Sequence, residues 1–310
     1  MSNSPTTPQP GRPQRSRRLL TVAAVAVPLL LLAGGIGYGL AGRGGGDGGG
    51  GGTGGDDAKA APARTSAAPV PPPSPSPSPL GPLSGKVVVL DPGHNLKNRL
   101  HTADINRQVD VGNGHKECDT TGTETNAGYP EAEFTLDVVR RARTLLRAQG
   151  AEVRLTHDGD REFGPCVDER AEIGNEAKAD AAVSVHADGA PEGARGFHVI
   201  MPAAVHAGKA DTRAISGPSH DLGTRLAAAF AKATGTSPAT YINGGTGLDT
   251  RSDLGGLNLS RVPKVFLECG NMRDAQDAGL LTSAKWRERA ARGIAAGVAA
   301  YLADEAGEKS

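Results

Sequence analysis

The sequence predicts a mixed α/β domain: one open, twisted, mostly parallel sheet with helices on both faces. Short apolar runs rich in β-branched residues alternate with segments whose apolar residues recur at helical spacing. The connections between them are short, and this βαβ rhythm is typical of parallel strands covered by helices. The chain also holds 44 Gly and 22 Pro among its 310 residues, concentrated before residue 85. We therefore assign the α/β domain to residues 85–305.

Three segments precede this domain. Residues 1–18 form a basic tail without acidic residues, 19–42 carry no charge, and 43–84 are rich in Gly and then in Pro and Ser. At about 1.5 Å per residue, an uncharged helix over 19–42 is long enough to cross a hydrocarbon core of about 30 Å. We expect a transmembrane anchor with a cytoplasmic tail, and a cleaved signal peptide is the alternative. Either way the chain is exported to the cell envelope, with 43–84 as a disordered linker.

Charge and cysteine content narrow the function classes. Beyond residue 84 acidic residues outnumber basic ones, which argues against a nucleic-acid partner. Cys118 and Cys166 lie in Gly/Pro-flanked loop sequence, whereas Cys269 follows an apolar run. In an oxidising exterior, one pair and one remaining thiol are expected. The sequence therefore predicts a Cys118–Cys166 disulfide and a buried Cys269 thiol.

The first half of the domain begins with a strand at 85–90. Asp91-Pro92-Gly93 then signals a turn, which places His94 at the strand's C-terminal end. The polar segment 95–130 has no predicted structure and is either a lid or rim of a site or a solvated insertion. Pro130-Glu131 begins a helix that Gly150 ends. The elements that follow are a strand at 151–156, a helix at 166–177 and a strand at 180–185.

The second half continues with a strand at 196–201, on whose exposed face we expect His198. A helix follows at 219–234, and the Gly-rich segment 241–259 is predicted to be a loop that lines a groove for an extended ligand. A buried strand at 262–267 leads directly to Glu268. The last helix, 284–303, begins after the hydroxyl cap Thr282-Ser283 and carries a stripe of core residues.

Three polar residues each follow an apolar run: His94, His186 and Glu268. Because the carboxyl ends of parallel strands meet at one sheet edge, we expect these side chains to lie close together. A single histidine after a strand is more commonly an ordinary loop residue, so it is the repetition that indicates a metal site. Glu131 has two interpretations: a first-turn carboxylate that complements the helix dipole, or a side chain that points into this site.

Catalytic zinc takes three protein ligands and leaves a fourth position open. His94, Glu131 and His186 would supply two imidazoles and one carboxylate. Amide hydrolysis also needs a group that accepts a proton from water and returns it to the leaving nitrogen. Glu268, a carboxylate that follows Val265-Phe266-Leu267, suits this task because apolar surroundings raise its pKa.

Taken together, these motifs resemble the zinc-dependent N-acetylmuramoyl-L-alanine amidase family of the LytC/AmiC type, over residues 85–302. The resemblance is carried, in order, by Val88-Val89-Leu90-Asp91-Pro92-Gly93-His94, Glu131, Arg170-Ala171 with Asn175, Ser184-Val185-His186-Ala187-Asp188 and Val265-Phe266-Leu267-Glu268. It implies that His94, Glu131 and His186 bind one Zn²⁺ per domain and that Glu268 is catalytic. Asp91, Arg170 and Asn175 would support the ligands from outside. The implied substrate is peptidoglycan, cleaved between the N-acetylmuramic acid lactyl group and L-Ala of the stem peptide.

The sequence also departs from the family pattern. Asn95-Leu96 replaces the usual Gly-Gly after the first histidine, the loop to Glu131 is longer, and Asp188 stands where Asn is common. That loop resembles a disulfide-bearing branch of the family seen in mycobacterial relatives. No wall-binding repeat is evident, so the membrane segment is expected to localise the protein, and a protein activator is left open. The alternatives are a catalytically silent wall-binding scaffold and another zinc peptidase or deacetylase.

Overall fold

The computed structural model describes residues 81–307. The strands are β1 (Val87–Pro92), β2 (Gln108–Asp110), β3 (His115–Glu117), β4 (Glu152–Leu155), β5 (Ala181–Asp188), β6 (His198–Pro202), β7 (His206–Ala207), β8 (Ala210–Asp211), β9 (Leu248–Arg251) and β10 (Lys264–Asn271). The α-helices are α1 (Thr102–Ile105), α2 (Glu131–Arg147), α3 (Val167–Glu176), α4 (Ser216–Thr234), α5 (Gly255–Asn258), α6 (Ala275–Leu281) and α7 (Ala284–Gly307). Single 3-10 turns lie at Asn98–Leu100 and Asn243–Gly245.

Six strands form the central sheet in the order β4-β1-β5-β10-β6-β9. Neighbouring strands are parallel except for β10 and β6, which are antiparallel. The pairs β2–β3 and β7–β8 form separate antiparallel hairpins. The predicted mixed α/β fold with a mostly parallel sheet is therefore confirmed, with one antiparallel pair that the sequence did not indicate.

The main core lies between one face of the sheet and the helices α2, α4 and α7. Val88 and Leu90 of β1 are buried there with Phe134 of α2, Leu226 of α4 and Ile294 of α7. Because side chains alternate along a strand, Val89 and Asp91 point to the opposite face. On that face Val89 packs in a smaller apolar cluster, and Asp91 contacts Arg170 of α3. His186 of β5 and Glu268 of β10, which are described below, also alternate with core residues and point to this second face.

Two strands are longer than predicted. β5 continues through His186 to Asp188, and β10 continues through Glu268 to Asn271, so both residues lie inside strands rather than after them. The ladder places Glu268 opposite His186. The prediction ended each strand where the apolar run ended, whereas backbone pairing between β5 and β10 continues past that point. His94 does follow its strand, with a positive φ of 60°.

The segment 95–130 was predicted to lack secondary structure, and this is wrong. It folds into α1 and the β2–β3 hairpin. Cys118, just after β3, forms the predicted disulfide with Cys166, and Cys269 is a free, buried cysteine. The disulfide links this segment, whose helix and strands are short, to the residue before α3. This covalent link holds the segment in a fixed position.

The proposed tail, the anchor or signal segment, and most of the proposed linker lie outside the described residues. Within residues 81–307, no helix combines the length and apolar character needed to cross a membrane. At the end of the proposed linker, Leu83 is only 2% exposed, and its backbone nitrogen donates to Gln149 O at 2.9 Å. The folded part therefore extends to Leu83 at least, rather than beginning at residue 85.

Candidate metal centre

His94, Glu131 and His186 converge at the edge of the sheet. One ligand atom from each lies within 4.8 Å of the others. His94 Nε2 is 3.3 Å from Glu131 Oε2, and His186 Nδ1 is 3.0 Å from Glu131 Oε1. Three elements supply them: the turn after β1, the first residue of α2 and the strand β5. Glu131 thus points into the cluster, the second of its two interpretations.

Two glycines allow the backbone to approach this cluster closely. A Cβ at Gly93 would lie 2.4 Å from His186 Cε1, and one at Gly122 would lie 2.7 Å from His94 Cδ2 and 2.9 Å from Glu131 Oε2. Gly122 also has a positive φ of 74°, which side chains disfavour. Because neither position has room for a side chain, the imidazoles and the carboxylate are held in a tight enclosure.

The electrostatics of the cluster suit a bound cation. Burial alone would raise the pKa of Glu131, but His94 and His186 hold it well below its usual range. Burial alone would lower the pKa of His94, but the carboxylates of Glu131 and Asp119 raise it to about 10. Two imidazoles and one carboxylate are a donor set that fits zinc.

Glu268 lies beside the cluster. Its Oε2 is buried and has no hydrogen-bond partner among the described residues. Burial, followed by the charges of Glu131 and Asp188, raises its pKa well above the usual value. Glu268 lines the same cavity of about 340 Å³ as His94 and His186. A protonatable carboxylate thus faces the space next to the candidate ligands.

The walls of this cavity come from several elements. Beyond the candidate ligands and Glu268 it is lined by Ile200, Phe266, Leu254, Gly255 and Gly256, with the cations Lys116 and Arg251 at its side. Part of the Gly-rich segment 241–259 therefore lines the site, but the prediction of a loop is wrong, because the segment contains β9 and α5. A larger cavity of about 880 Å³ between α3 and the start of α4 contains none of the candidate ligands, and we assign it no chemistry.

A buried network of charged side chains lies next to the turn that carries His94. Asp91 Oδ1 accepts from Arg170 Nη1 at 2.7 Å, and Lys264 Nζ lies 3.4 Å from Asp91 Oδ2. Burial would raise the pKa of Asp91, but Lys264 and Arg170 keep it far below its usual range. Arg170 also donates to the carbonyl oxygen of His94 at 3.2 Å. The structure thus places Asp91 and Arg170 against the turn that carries His94.

Asp119 is the residue that sequence reasoning missed. Its Oδ1 lies 3.1 Å from His94 Nδ1, and its Oδ2 accepts from Arg170 Nη2 at 2.9 Å. It stands in a polar segment without hydrophobic periodicity, so no pattern singled it out. The one available signal was its position next to Cys118, which the predicted disulfide fixes.

Two other expectations need correction. Asn175 does not join the support of the ligands: its Nδ2 donates to Leu259 O at 3.0 Å and its Oδ1 accepts from Arg261 N at 2.7 Å, so it anchors the segment before β10. His198 is not on an exposed face; it is 4% exposed, and its ring packs edge-on against Tyr241 at 6.0 Å. The segment that carries Tyr241 covers this side of β6.

Comparison with known proteins gives consistent matches. The family described as N-acetylmuramoyl-L-alanine amidase matches residues 88–300. The N-acetylmuramoyl-L-alanine amidase Rv3717 of Mycobacterium tuberculosis is 43% identical over 225 residues, which cover 72% of this chain and 89% of that protein. The crystal structure of the amidase Ami1 from Mycobacterium smegmatis aligns with a TM-score of 0.66 and 42% identity, covering 72% of this chain and 99% of its own. Ami1 from Mycobacterium abscessus, in its apo form, aligns with a TM-score of 0.65 and 43% identity, over 71% and 100%.

Proposed function

The chain belongs to the N-acetylmuramoyl-L-alanine amidase family, and on that premise we propose that it is a zinc-dependent peptidoglycan hydrolase of the cell envelope. It cleaves the amide between the N-acetylmuramic acid lactyl group and L-Ala of the stem peptide. The observation that carries the assignment of the site is the convergence of His94, Glu131 and His186 beside Glu268. All four residues lie within the range matched by the family.

His94 Nε2, His186 Nδ1 and the Glu131 carboxylate would hold one zinc ion. These atoms face one another, and two backbone N–H groups orient the Glu131 carboxylate: Ala187 N donates to Glu131 Oε1 at 3.2 Å and Thr123 N donates to Glu131 Oε2 at 2.9 Å. When bound, zinc supplies Lewis acidity that activates water and polarises the scissile carbonyl. The protein contributes the fixed placement of the three donors.

Glu268 is the proposed general base and acid. Its raised pKa lets it accept a proton from water and return that proton to the leaving nitrogen within one turnover. The nearby Asp188 carboxylate is engaged by Tyr241, whose Oη donates to Asp188 Oδ2 at 2.8 Å. Glu268 is therefore the available carboxylate beside the ligands.

The location of the protein follows from its substrate. Peptidoglycan lies in the cell envelope, so the domain acts outside the cytoplasm. We propose that residues 19–42 anchor it to the membrane and that residues 43–80 span the distance to the wall. Peptidoglycan and the membrane are the partners of this proposal, and it includes no nucleic acid.

Mass spectrometry of muropeptides incubated with the full chain and zinc tests the proposal. We expect an intact stem peptide with a free L-Ala amino group and a glycan that keeps its acetyl groups. A deacetylated glycan, or cleavage within the stem peptide, would show instead that the site serves another hydrolytic reaction. Binding to peptidoglycan without any product would favour the scaffold.

A further inference from the structure

We propose that Asp119 is the positioning residue for His94 and that the Cys118–Cys166 disulfide holds Asp119 in place, so that zinc affinity depends on this disulfide. The inference rests on the proposed zinc site. It adds two features of this chain, a carboxylate outside the ligand set and a covalent link, to the four residues already assigned.

The first step is the contact between Asp119 and His94. Asp119 is 5% exposed, and its Oδ1 lies 3.1 Å from His94 Nδ1 and accepts from Thr120 N at 2.7 Å. A histidine ligand is oriented by the partner of its other ring nitrogen, and a carboxylate there also makes the imidazole a stronger ligand. Thr120 O and Thr120 Oγ1 each lie 3.2 Å from the same nitrogen, and Asp119 is the charged partner among them. Asp119 therefore favours a proton on Nδ1 and leaves Nε2, which faces Glu131, for the metal.

The second step is the anchor of Asp119 itself. Its other oxygen, Oδ2, accepts from Arg170 Nη2 at 2.9 Å, and Arg170 is 4% exposed. The same guanidinium donates to Asp91 Oδ1 and Pro92 O, each at 2.7 Å. Arg170 thus links Asp119 to β1, the strand that precedes His94. Asp119 therefore contacts His94 through Oδ1 and Arg170 through Oδ2.

The third step is the disulfide. Cys118 precedes Asp119, and Cys166 precedes the first residue of α3, the helix that carries Arg170. The two cysteines are 48 residues apart in sequence. Besides Arg170, the segment around Asp119 is held by backbone hydrogen bonds such as Val167 N to Cys118 O at 2.8 Å and Asp119 N to Ile105 O at 3.1 Å, and by Asn98 Nδ2, which donates to Thr120 O at 2.7 Å. Its own elements, α1, β2 and β3, have only 3 or 4 residues each.

Zinc affinity should therefore depend on the Cys118–Cys166 disulfide. Elements this short are marginal on their own, so removal of the disulfide lets the segment around Asp119 open locally. Each opening separates Asp119 from both His94 and Arg170. The zinc affinity should then fall toward the value of a variant that lacks the Asp119 carboxylate.

The test is a measurement of zinc affinity, by competition with a chromophoric chelator, for the full chain and three variants. Loss of a carboxylate that supports a histidine ligand typically lowers metal affinity 10- to 100-fold. We expect a loss of about this size for Asp119→Asn and for the double variant Cys118→Ser/Cys166→Ser. The control Asp110→Asn changes a carboxylate of the same segment that pairs with Lys209 at 2.9 Å, and it should leave the affinity unchanged.

A double-mutant cycle separates this inference from a general loss of stability. If the disulfide acts through Asp119, its removal from the Asp119→Asn protein should lower zinc affinity by less than about twofold more. Additive losses, or an Asp119→Asn protein with unchanged affinity, would overturn the inference while leaving the proposed function intact. If the unmodified chain itself does not bind zinc, the proposed zinc site fails and this inference fails with it.

Discussion

Replacement of Glu268 by Gln should separate catalysis from metal binding and from stability. The amide has nearly the same shape as the carboxylate but cannot accept the proton from water. Glu268 is not among the three proposed ligands, so the variant should bind zinc as tightly as the unmodified chain. Its Oε2 has no hydrogen-bond partner among the described residues, so the substitution removes no hydrogen bond from that atom.

The magnitude follows from the surroundings of Glu268. General acid–base catalysis typically contributes about 10²- to 10⁴-fold. Asp188, the neighbouring carboxylate, accepts a hydrogen bond from Tyr241 and does not line the cavity that holds His94, His186 and Glu268, so it is not placed to take over the proton transfer. We therefore expect turnover to fall about 10³- to 10⁴-fold, or ~4–5.5 kcal/mol at 1.36 kcal/mol per factor of ten.

In the absence of metal, Glu268→Gln should raise the free energy of unfolding at neutral pH, although it lowers turnover. Burial, Glu131 and Asp188 raise the pKa of Glu268 in the folded protein, so its ionisation opposes folding at neutral pH. Below the pKa of about 4.3 of an unfolded glutamate the carboxyl is protonated in both states, and the penalty disappears. The Gln variant should be the more stable protein at pH 7, with the difference shrinking toward pH 4.

Three measurements on the purified full chain test this set: steady-state release of stem peptide, zinc affinity, and urea unfolding at pH 4 and pH 7. Glu133→Gln is the matched control, because Glu133 is exposed on α2 two residues beyond Glu131. It should leave turnover and zinc affinity unchanged and alter the free energy of unfolding by at most about 1 kcal/mol, the usual contribution of a first-turn carboxylate to the helix dipole. If Glu268→Gln keeps zinc-dependent turnover within about tenfold of the unmodified chain, the loss is smaller than a general base contributes. That result would refute the assignment.

The other predictions concern the ligands, the enclosure and the buried network. His186→Ala should abolish both zinc binding and stem-peptide release, measured by metal analysis and mass spectrometry, and retained zinc would contradict its role. Gly122→Ala should weaken zinc binding at least tenfold because its Cβ meets His94 and Glu131. Gly128→Ala is the control: φ is +82°, and an added Cβ would have no non-neighbouring atom of the described residues within 4 Å. It should show only the backbone cost of about 1–2 kcal/mol. Asp91→Asn should cost about 3–5 kcal/mol in urea unfolding near pH 6, because the buried Lys264 and Arg170 lose a compensating charge. Because the pKa of Asp91 is lowered in the folded state, this cost should shrink as the pH falls below about 4, where unfolded aspartate becomes protonated; a constant cost would contradict the ion-pair account.

The elements predicted best were those whose local signals agree with their tertiary contacts. The apolar run before Asp91-Pro92-Gly93 marked β1, and Pro130 and Gly150 bracketed α2. Glu131 shows the limit of such signals. A first-turn glutamate satisfies the helix dipole wherever it points, so only the packing of α2 beside β5 shows that it reaches His186.

What the sequence could not provide depends on contacts between distant segments. Asp119 is 25 residues from His94, and its position is set by a disulfide and a short hairpin rather than by periodicity. The antiparallel direction of β6 has no signature in a short apolar run. His198 alternates with apolar neighbours as an exposed residue would, but a segment more than 40 residues later covers it.

The most direct test of the central claim is a zinc titration of the metal-free full chain, followed by stem-peptide release from purified muropeptides. We predict no release without metal, a linear rise as zinc is added, and a plateau at one equivalent per chain, with Glu268→Gln slower by about 10³-fold or more at every zinc concentration. Full release by the metal-free chain, or a plateau that requires a different stoichiometry, would contradict the single zinc site formed by His94, Glu131 and His186.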